Sequence, residues 1–347
     1  MGLLKLILFP FSIIYGLAVK VRNHLYNIGY TKSFRFEVPV IVVGNLSAGG
    51  TGKTPMVEYL IRLLTGNYSP AILSRGYKRS TKGFYLADDS SSSNLIGDEP
   101  MQYHNKFDIP VAVCEDRVEG IPKILFERPE TDLIIMDDGY QHRAVNPYIS
   151  LLLTDALNIF TDDYLLPSGR LREHRREAKR ADVIIITKLT TGTSNVEIDK
   201  IEKSIRKYNS DSPIFFTTLK YHPPIGFDGK EMPSSESVIL LSGIAKSETL
   251  VNYIVDFWSM KEHLKYADHH EYTSKDIDKI CKVQKQNNIP IITTEKDAAR
   301  LKNPEWKRKL AGIPIYYLPI SISFIKNGSE FDKWVTEKIQ SFSGLKQ

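Results

Sequence analysis

Cysteine is scarce: only Cys114 and Cys281 occur in 347 residues. That excludes a disulfide framework and a multi-cysteine zinc or iron–sulfur site, and it suits a reducing compartment. A chain of this length buries a large core without covalent staples. Excess charge of one sign is also missing. The 46 Lys and Arg nearly balance the 41 Asp and Glu, leaving +5. The mild surplus suits an anionic partner (phosphate, acidic lipid or nucleic acid) without choosing among them. No apolar run is long enough to span a bilayer comfortably: Leu6 to Val19 has 14 residues, and a spanning helix needs about 20. Repeats of solenoid period are absent. What remains, 42% hydrophobic and 25% charged residues, is a globular mix that excludes a disordered or collagen-like chain and leaves room for about two domains.

Three readings compete for Leu6–Val19: a signal peptide, a buried core helix and an interfacial helix. Helical spacing puts Ser12, Gly16, Lys20, Asn23 and Asn27 on one stripe and Leu6, Phe9, Ile13 and Leu17 on another face, with Lys20 and Arg22 at the end. N-myristoylation is excluded, because Leu6 stands where Ser or Thr is required.

Further along, a proline repeatedly opens a short β-branched run, at Pro39, Pro70, Pro110, Pro213, Pro290 and Pro314. Proline is tolerated at the first residue of a strand. The runs are continuously apolar, as are Leu133–Met136 and Val183–Thr187, so the strands are covered on both faces. Helical stretches such as Lys53–Leu64 and Arg117–Phe126 lie between them. The pattern predicts an α/β, doubly wound, mostly parallel sheet. A stretch rich in Pro, Gly and Ser, His222–Ser237, reads as a boundary before a smaller α/β domain. The expected division is 1–30 for the N-terminal helix, 31–221 for the nucleotide domain, and 222–347 for the smaller domain with a closing helix over Glu330–Ser341.

The strongest motif is Gly44-Asn45-Leu46-Ser47-Ala48-Gly49-Gly50-Thr51-Gly52-Lys53-Thr54, after a buried strand and before a helix. That context suits a P-loop, in which backbone amides cradle phosphates, a lysine neutralises them and a Thr hydroxyl holds Mg²⁺. Ser47 departs from the usual first glycine. The expected phosphate contacts are Ser47, Ala48, Gly49, Gly50, Thr51, Gly52, Lys53 and Thr54. Asp137-Asp138 at the end of a buried strand suits a Walker B element, although Asp138-Gly139 is also turn chemistry. His142 could be structural or site-lining. Asp98 in Gly97-Asp98-Glu99-Pro100 could be a base, but the local sequence reads better as a helix cap. Arg170–Arg180 holds six basic residues, two acidic and one His. It suits phosphate, or simply a solvated helix face; interleaved aromatics for nucleic acid are missing. Thr187-Lys188-Leu189-Thr190 lacks the Asn and Asp of a guanine-reading motif, which favours ATP over GTP. A site that uses ATP in turn argues against secretion.

Together, the blocks VGNLSAGGTGKTP, SRGY (Ser74–Tyr77), GDEP, DDGYQH, LPSGRLRE, ITK, DHHEY and TEKDA (Thr294–Ala298) resemble the tetraacyldisaccharide 4'-kinase family, the lipid A 4'-kinases. They extend to about residue 300, and the last ~45 residues carry little of the resemblance. It implies transfer of the γ-phosphoryl group of ATP, with Mg²⁺, to the 4'-hydroxyl of an acylated disaccharide 1-phosphate in lipid A synthesis. It also implies peripheral attachment to the cytoplasmic face of the inner membrane through residues 6–19, no nucleic acid and no obligate protein partner. By the same resemblance Asp98 is the base, paired with His269 rather than His270. Arg172 stabilises transferring charge alongside Lys53. Thr54, Asp138, Gln141 and Glu173 organise Mg²⁺, and Asp137 and His142 line the site. A P-loop switch that only binds a partner would share the nucleotide loop but gives GDEP and DHHEY no role.

Overall fold

The computed structural model describes residues 3–190, 192–245 and 247–342. Among them the chain builds two sheets. The first has nine strands, in the spatial order Ile320–Phe324, Ile214–Tyr221, Val183–Thr187, Ile149–Asp155, Val40–Asn45, Leu133–Asp137, Pro70–Ser74, Val111–Val113 and Tyr85–Leu86. Its seven inner strands pair in parallel, and only the two edge strands run antiparallel. The apolar runs are its interior: Val40–Asn45, Leu133–Asp137 and Val183–Thr187 are buried at every residue. Separate layers pack on the two faces. One layer is built around the helix Lys53–Leu64, the other around Arg117–Glu127.

The second sheet has five strands, ordered Ser259–Lys265, Ser237–Ser242, Ile291–Thr294, Ile315–Leu318 and Ile225–Gly226. Its faces are covered by Ser274–Asn287 and Glu248–Phe257. The closing segment departs from expectation. Ile320–Phe324 returns to the edge of the first sheet, and the helix Gly328–Gln340 buries Phe331, Val335 and Ile339 against that sheet's core rather than the second sheet's. Its apolar spacing announces a buried face but not which sheet will receive it.

Candidate active site

The phosphate loop lies at the C-terminal end of the central strand Val40–Asn45, where open parallel sheets bind ligands. Gly49 and Gly52 adopt left-handed φ values of 114° and 79°, which other residues enter only with strain. Gly52 caps the helix Lys53–Leu64 without a side-chain hydrogen bond, so the first-turn amides stay available to an anion. Neighbours brace the loop. The Asn45 amide donates to Thr51 Oγ1 at 2.8 Å, and the Thr187 hydroxyl donates to the Thr51 carbonyl at 2.9 Å. The Ala48 amide donates to the Arg170 carbonyl, and the Arg172 amide to the Leu46 carbonyl, both at 2.7 Å. This explains the departure at Ser47. Here the loop is zipped to the LPSGRLRE block, with Ser47 bridging Leu171, instead of curling freely. The Ala48 N–H, expected on phosphate, is spent inside the protein.

Asp137 and Asp138 end the neighbouring strand. Asp138 sits at φ 51° and faces Lys53 Nζ at 3.4 Å. Arg172 grips its two oxygens at 2.8 and 3.1 Å and also donates to the Asn45 side chain. Burial would raise its proton affinity, but Lys53 and Arg172 outweigh burial and hold Asp138 ionised. Asp137 has no such partner: burial first, then the Asp138 charge, push it up to about 7. Its Oδ1 and the Gln141 Oε1 are buried without hydrogen-bond partners. Two orphaned oxygens at the end of the strand beside the phosphate loop suit a hard cation that keeps phosphate and water ligands. Among the described residues no cluster of three or more His, Cys, Asp or Glu could hold a metal ion. Glu173, expected on Mg²⁺, lies 3.4 Å from the Gln141 side-chain amide on one side and is held by the N-terminal helix on the other. It is fully buried and accepts from Arg22 at 2.6 Å, Asn23 at 3.0 Å and Arg180 at 2.5 Å.

A second cluster joins the two sheets. Asp98 opens the helix Asp98–Lys106 but does not cap it. Gly97 is the cap residue, and the Asp98 carboxylate points at the second unit. His269 Nδ1 lies 2.9 Å from Asp98 Oδ2, and Arg300 donates to the same oxygen at 2.7 and 3.0 Å. Lys296 pairs with Glu99 at 2.5 Å, and the Tyr77 ring stands edge-on to His269 at 5.5 Å. His270 instead reaches Asp276 at 3.0 Å and stacks on Tyr266. Glu99 and Lys296 both act on the proton affinity of Asp137, so the two clusters share one electrostatic environment. Sequence reasoning missed Arg300, Lys296 and Tyr77. Only TEKDA and SRGY marked their neighbourhoods, and one-dimensional spacing does not reveal a partner 202 residues away.

The Asp98 cluster has a consequence for acid stability. Burial opposes ionisation of Asp98, yet the His269 and Arg300 hydrogen bonds pull it down to about 2, below the ordinary 3.8. A carboxylate with a depressed folded-state pKa stabilises the fold above its unfolded pKa, and that contribution is lost as pH falls from about 4 through about 2. The linked stability is about 2 kcal/mol. Urea unfolding of Asp98→Asn should therefore show a shallower loss of stability across this window than the parent. Equal slopes would deny the linkage.

The sequence profile of the LpxK family, tetraacyldisaccharide-1-P 4'-kinase, matches residues 4–340. The chain belongs to this family. The tetraacyldisaccharide 4'-kinases of Flavobacterium johnsoniae and Flavobacterium psychrophilum are 43% and 42% identical to it, each comparison covering 98% of both chains. The crystal structure of LpxK from Aquifex aeolicus in complex with ATP superposes with a TM-score of 0.76 at 27% identity, covering 97% of this chain and 100% of that one. Family likeness thus reaches well into the C-terminal segment, where the quoted motifs fall silent.

Two further features of this LpxK-family chain differ from their local readings. The N-terminal helix runs from Leu3 to Asn27, 25 residues, well past the apolar core of the segment. From Lys5 to Asn27 it is apolar and long enough to cross a membrane by length and composition. Ser12, Gly16 and Asn23 of its polar stripe face the protein, while Lys20 and Asn27 are exposed. The Ser12 hydroxyl donates to the Leu165 carbonyl, His174 meets the Gly16 carbonyl, and Asn23 bonds Glu173. Leu6, Ile7, Phe11, Ile13, Ile14 and Leu17 are outward and at least 57% exposed. The basic run Arg170–Arg180 is not a solvated helix face either. Arg170 pairs with Asp163, Arg172 with Asp138 and Arg180 with Glu173, so three of its cations are spent on carboxylates, of which Asp163 and Glu173 are buried. His142 lies beside Arg117, Arg75 and Asp116; burial, then Arg117, lower it to about 4, leaving a neutral imidazole at the rim.

Proposed function

We propose that this chain transfers the γ-phosphoryl group of ATP to the 4'-hydroxyl of a tetraacyldisaccharide 1-phosphate, the acceptor chemistry that its family's name carries. The observation that supports this best is the Asp98–His269 pair, set by the second unit opposite a phosphate loop. A hydrolase that only spends ATP has no use for a hydroxyl acceptor there. Phosphoryl transfer demands positioning and charge neutralisation more than covalent chemistry. Lys53 and the amides of Gly49 to Thr54 hold the phosphates, and Arg172, oriented by Asp138 and Asn45, meets the transferring charge. Thr54, Asp137, Asp138 and Gln141 are the residues that would hold Mg²⁺, which when bound would neutralise phosphate charge.

Asp98 held near 2 is a weak base by itself. It accepts the hydrogen bond of the 4'-hydroxyl and orients the oxygen. The proton, released late in a loose transition state, passes to the Asp98–His269 pair. Arg300 fixes the carboxylate, and Tyr77 fixes the imidazole. The working division is a nucleotide unit over 31–221 completed by 319–342, and a smaller unit over 222–318 that carries His269 and Arg300. The outward apolar face of the N-terminal helix, flanked by Lys20 and Arg22, supports peripheral attachment to the cytoplasmic face of the inner membrane, where the acylated acceptor is met. No nucleic acid and no obligate protein partner enter this reading.

The test is a transfer assay in detergent with γ-labelled ATP, Mg²⁺ and the tetraacyldisaccharide 1-phosphate. Label should appear on the lipid and fall by at least 10³-fold in Lys53→Ala, the scale of a lost electrostatic clamp. ATP hydrolysis without labelled lipid would refute the acceptor assignment.

A further inference from the structure

Two short helices meet where the two sheets join, and their charges are matched along the contact. Asp98–Lys106 belongs to the nucleotide unit and Glu295–Leu301 to the smaller one. They run in opposite directions: Asp98 meets Arg300 at 2.7 Å, Glu99 meets Lys296 at 2.5 Å, and Lys106 meets Glu295 at 2.5 Å. The first two pairs belong to the Asp98 cluster. The third lies eight residues along the helix from Asp98, roughly 12 Å at the helical rise.

Lys106 also joins a third helix. Its ammonium reaches Glu58 at 2.6 Å, on the helix Lys53–Leu64 that starts at the phosphate loop. Both carboxylates are buried: the Glu58 side chain is 1% exposed and that of Glu295 6%. Glu58 has other support, from Gln102 at 2.7 Å and Arg62 at 3.1 Å. Among the described residues, Glu295 has only the Ile320 amide at 3.1 Å besides Lys106. Burial, then the Glu58 charge, raise its proton affinity. Without the ammonium, two buried like charges face each other and the helices are driven apart. The loop that carries His269 is tied to the same helix of the smaller unit. The Tyr272 hydroxyl donates to Asp297 at 3.0 Å, and Arg300 pairs with Asp297 at 2.9 Å.

We infer that Lys106 is a positioning residue for phosphoryl transfer: by holding Glu295 to Glu58 it fixes the helix Glu295–Leu301 against Asp98–Lys106, and so sets Arg300 and His269 on the Asp98 carboxylate. The inference rests on the kinase reading and deepens it. Lys106 acts through these residues and not on the reacting atoms. A shift of about 1 Å in a group near the chemistry can cost about 10²-fold in rate, even when its cause lies far away.

The experiment compares the parent with Lys106→Met and Lys106→Arg in the detergent transfer assay. The kcat of Lys106→Met should fall about tenfold or more, with the KM for ATP unchanged. Lys106→Arg, which keeps the charge, should recover most of the loss. In a His269→Ala background the same substitution should cost much less, because residues acting through one another are not additive. Hydrogen exchange supplies a readout that needs no activity. Amides of Glu295–Leu301 should exchange faster in Lys106→Met, while the strand Ser237–Ser242 of the same unit keeps its protection. Should Lys106→Met fail to fold, Glu295→Gln, which leaves the Lys106–Glu58 pair, should show the same kcat loss at smaller size. A folded Lys106→Met with parental kcat and a lower urea midpoint overturns the inference, since Lys106 would then only stabilise. Full additivity with His269→Ala overturns it, and so does a raised KM for ATP at constant kcat. A parent that transfers no label to the lipid overturns the kinase reading instead. Unchanged exchange at Glu295–Leu301 overturns the role of Lys106 whatever the activity, so the two failures are distinguishable.

Discussion

Replacing Asp98 by asparagine is expected to lower kcat by about 10²–10⁴-fold while ATP binds with parental affinity. The substitution keeps the shape and one acceptor oxygen but removes the negative charge that, in the proposed mechanism, orients a hydroxyl and receives its proton. ATP binding is spared because Lys53, Arg172 and the loop amides are held by other partners, Asp138, Asn45 and Thr187 among them. His269→Ala should show a smaller loss, since the carboxylate keeps two contacts from Arg300. Single-turnover transfer and equilibrium ATP binding, measured on the same preparations, separate chemistry from nucleotide affinity. Full transfer by Asp98→Asn would remove Asp98 as the group that receives the proton.

Much of this architecture was legible in the sequence because local rules and tertiary structure agree. Proline-led apolar runs can be satisfied only by strands covered on both faces, and the runs at Pro39, Pro70, Pro110, Pro213, Pro290 and Pro314 all became strands. The helix Lys53–Leu64 has the predicted bounds, because Gly52 and Thr65 stop it at each end. Other elements carried weaker signals. Ile149–Asp155 is a central buried strand, but its proline, Pro147, stands two residues before it instead of directly at its start as elsewhere. Ile320–Phe324 is short and half-buried, so its pairing with Ile214–Tyr221 is a tertiary fact.

The site divides along the same line. The phosphate loop and Asp137–Asp138 are contiguous motifs and were readable as such. The cap reading of Asp98 was the better local inference, because only the fold brings His269 and Arg300 to it. Glu173 shares its block, LPSGRLRE, with Arg172, and the sequence does not separate their surroundings. Both residues lie in the same turn of chain, yet Arg172 grips Asp138 beside the phosphate loop while Glu173 is divided between the N-terminal helix and Gln141.

Glu173→Ala should be the most destabilising single change in that region, costing about 3–5 kcal/mol, toward the lower figure. The carboxylate is fully buried and holds Arg22, Asn23 and Arg180 together. Removing it strands the Asn23 amide and leaves the one-fifth-exposed Arg180 with Glu177 as its one remaining carboxylate, whereas Arg22 is 44% exposed and can turn to water. Because two of those partners belong to the N-terminal helix, docking of that helix should weaken with the fold. The variant should unfold at lower urea and yield residues 3–27 to protease first. Glu173→Gln, which keeps an acceptor oxygen, should recover part of the stability. A Mg²⁺ ligand would behave otherwise: Glu173→Gln would then raise the Mg²⁺ concentration needed for half-maximal transfer and leave the urea midpoint alone. The two measurements, urea midpoint and Mg²⁺ requirement, therefore move in opposition under the two roles. The buried contacts of Glu173 predict a shift in the first and constancy in the second.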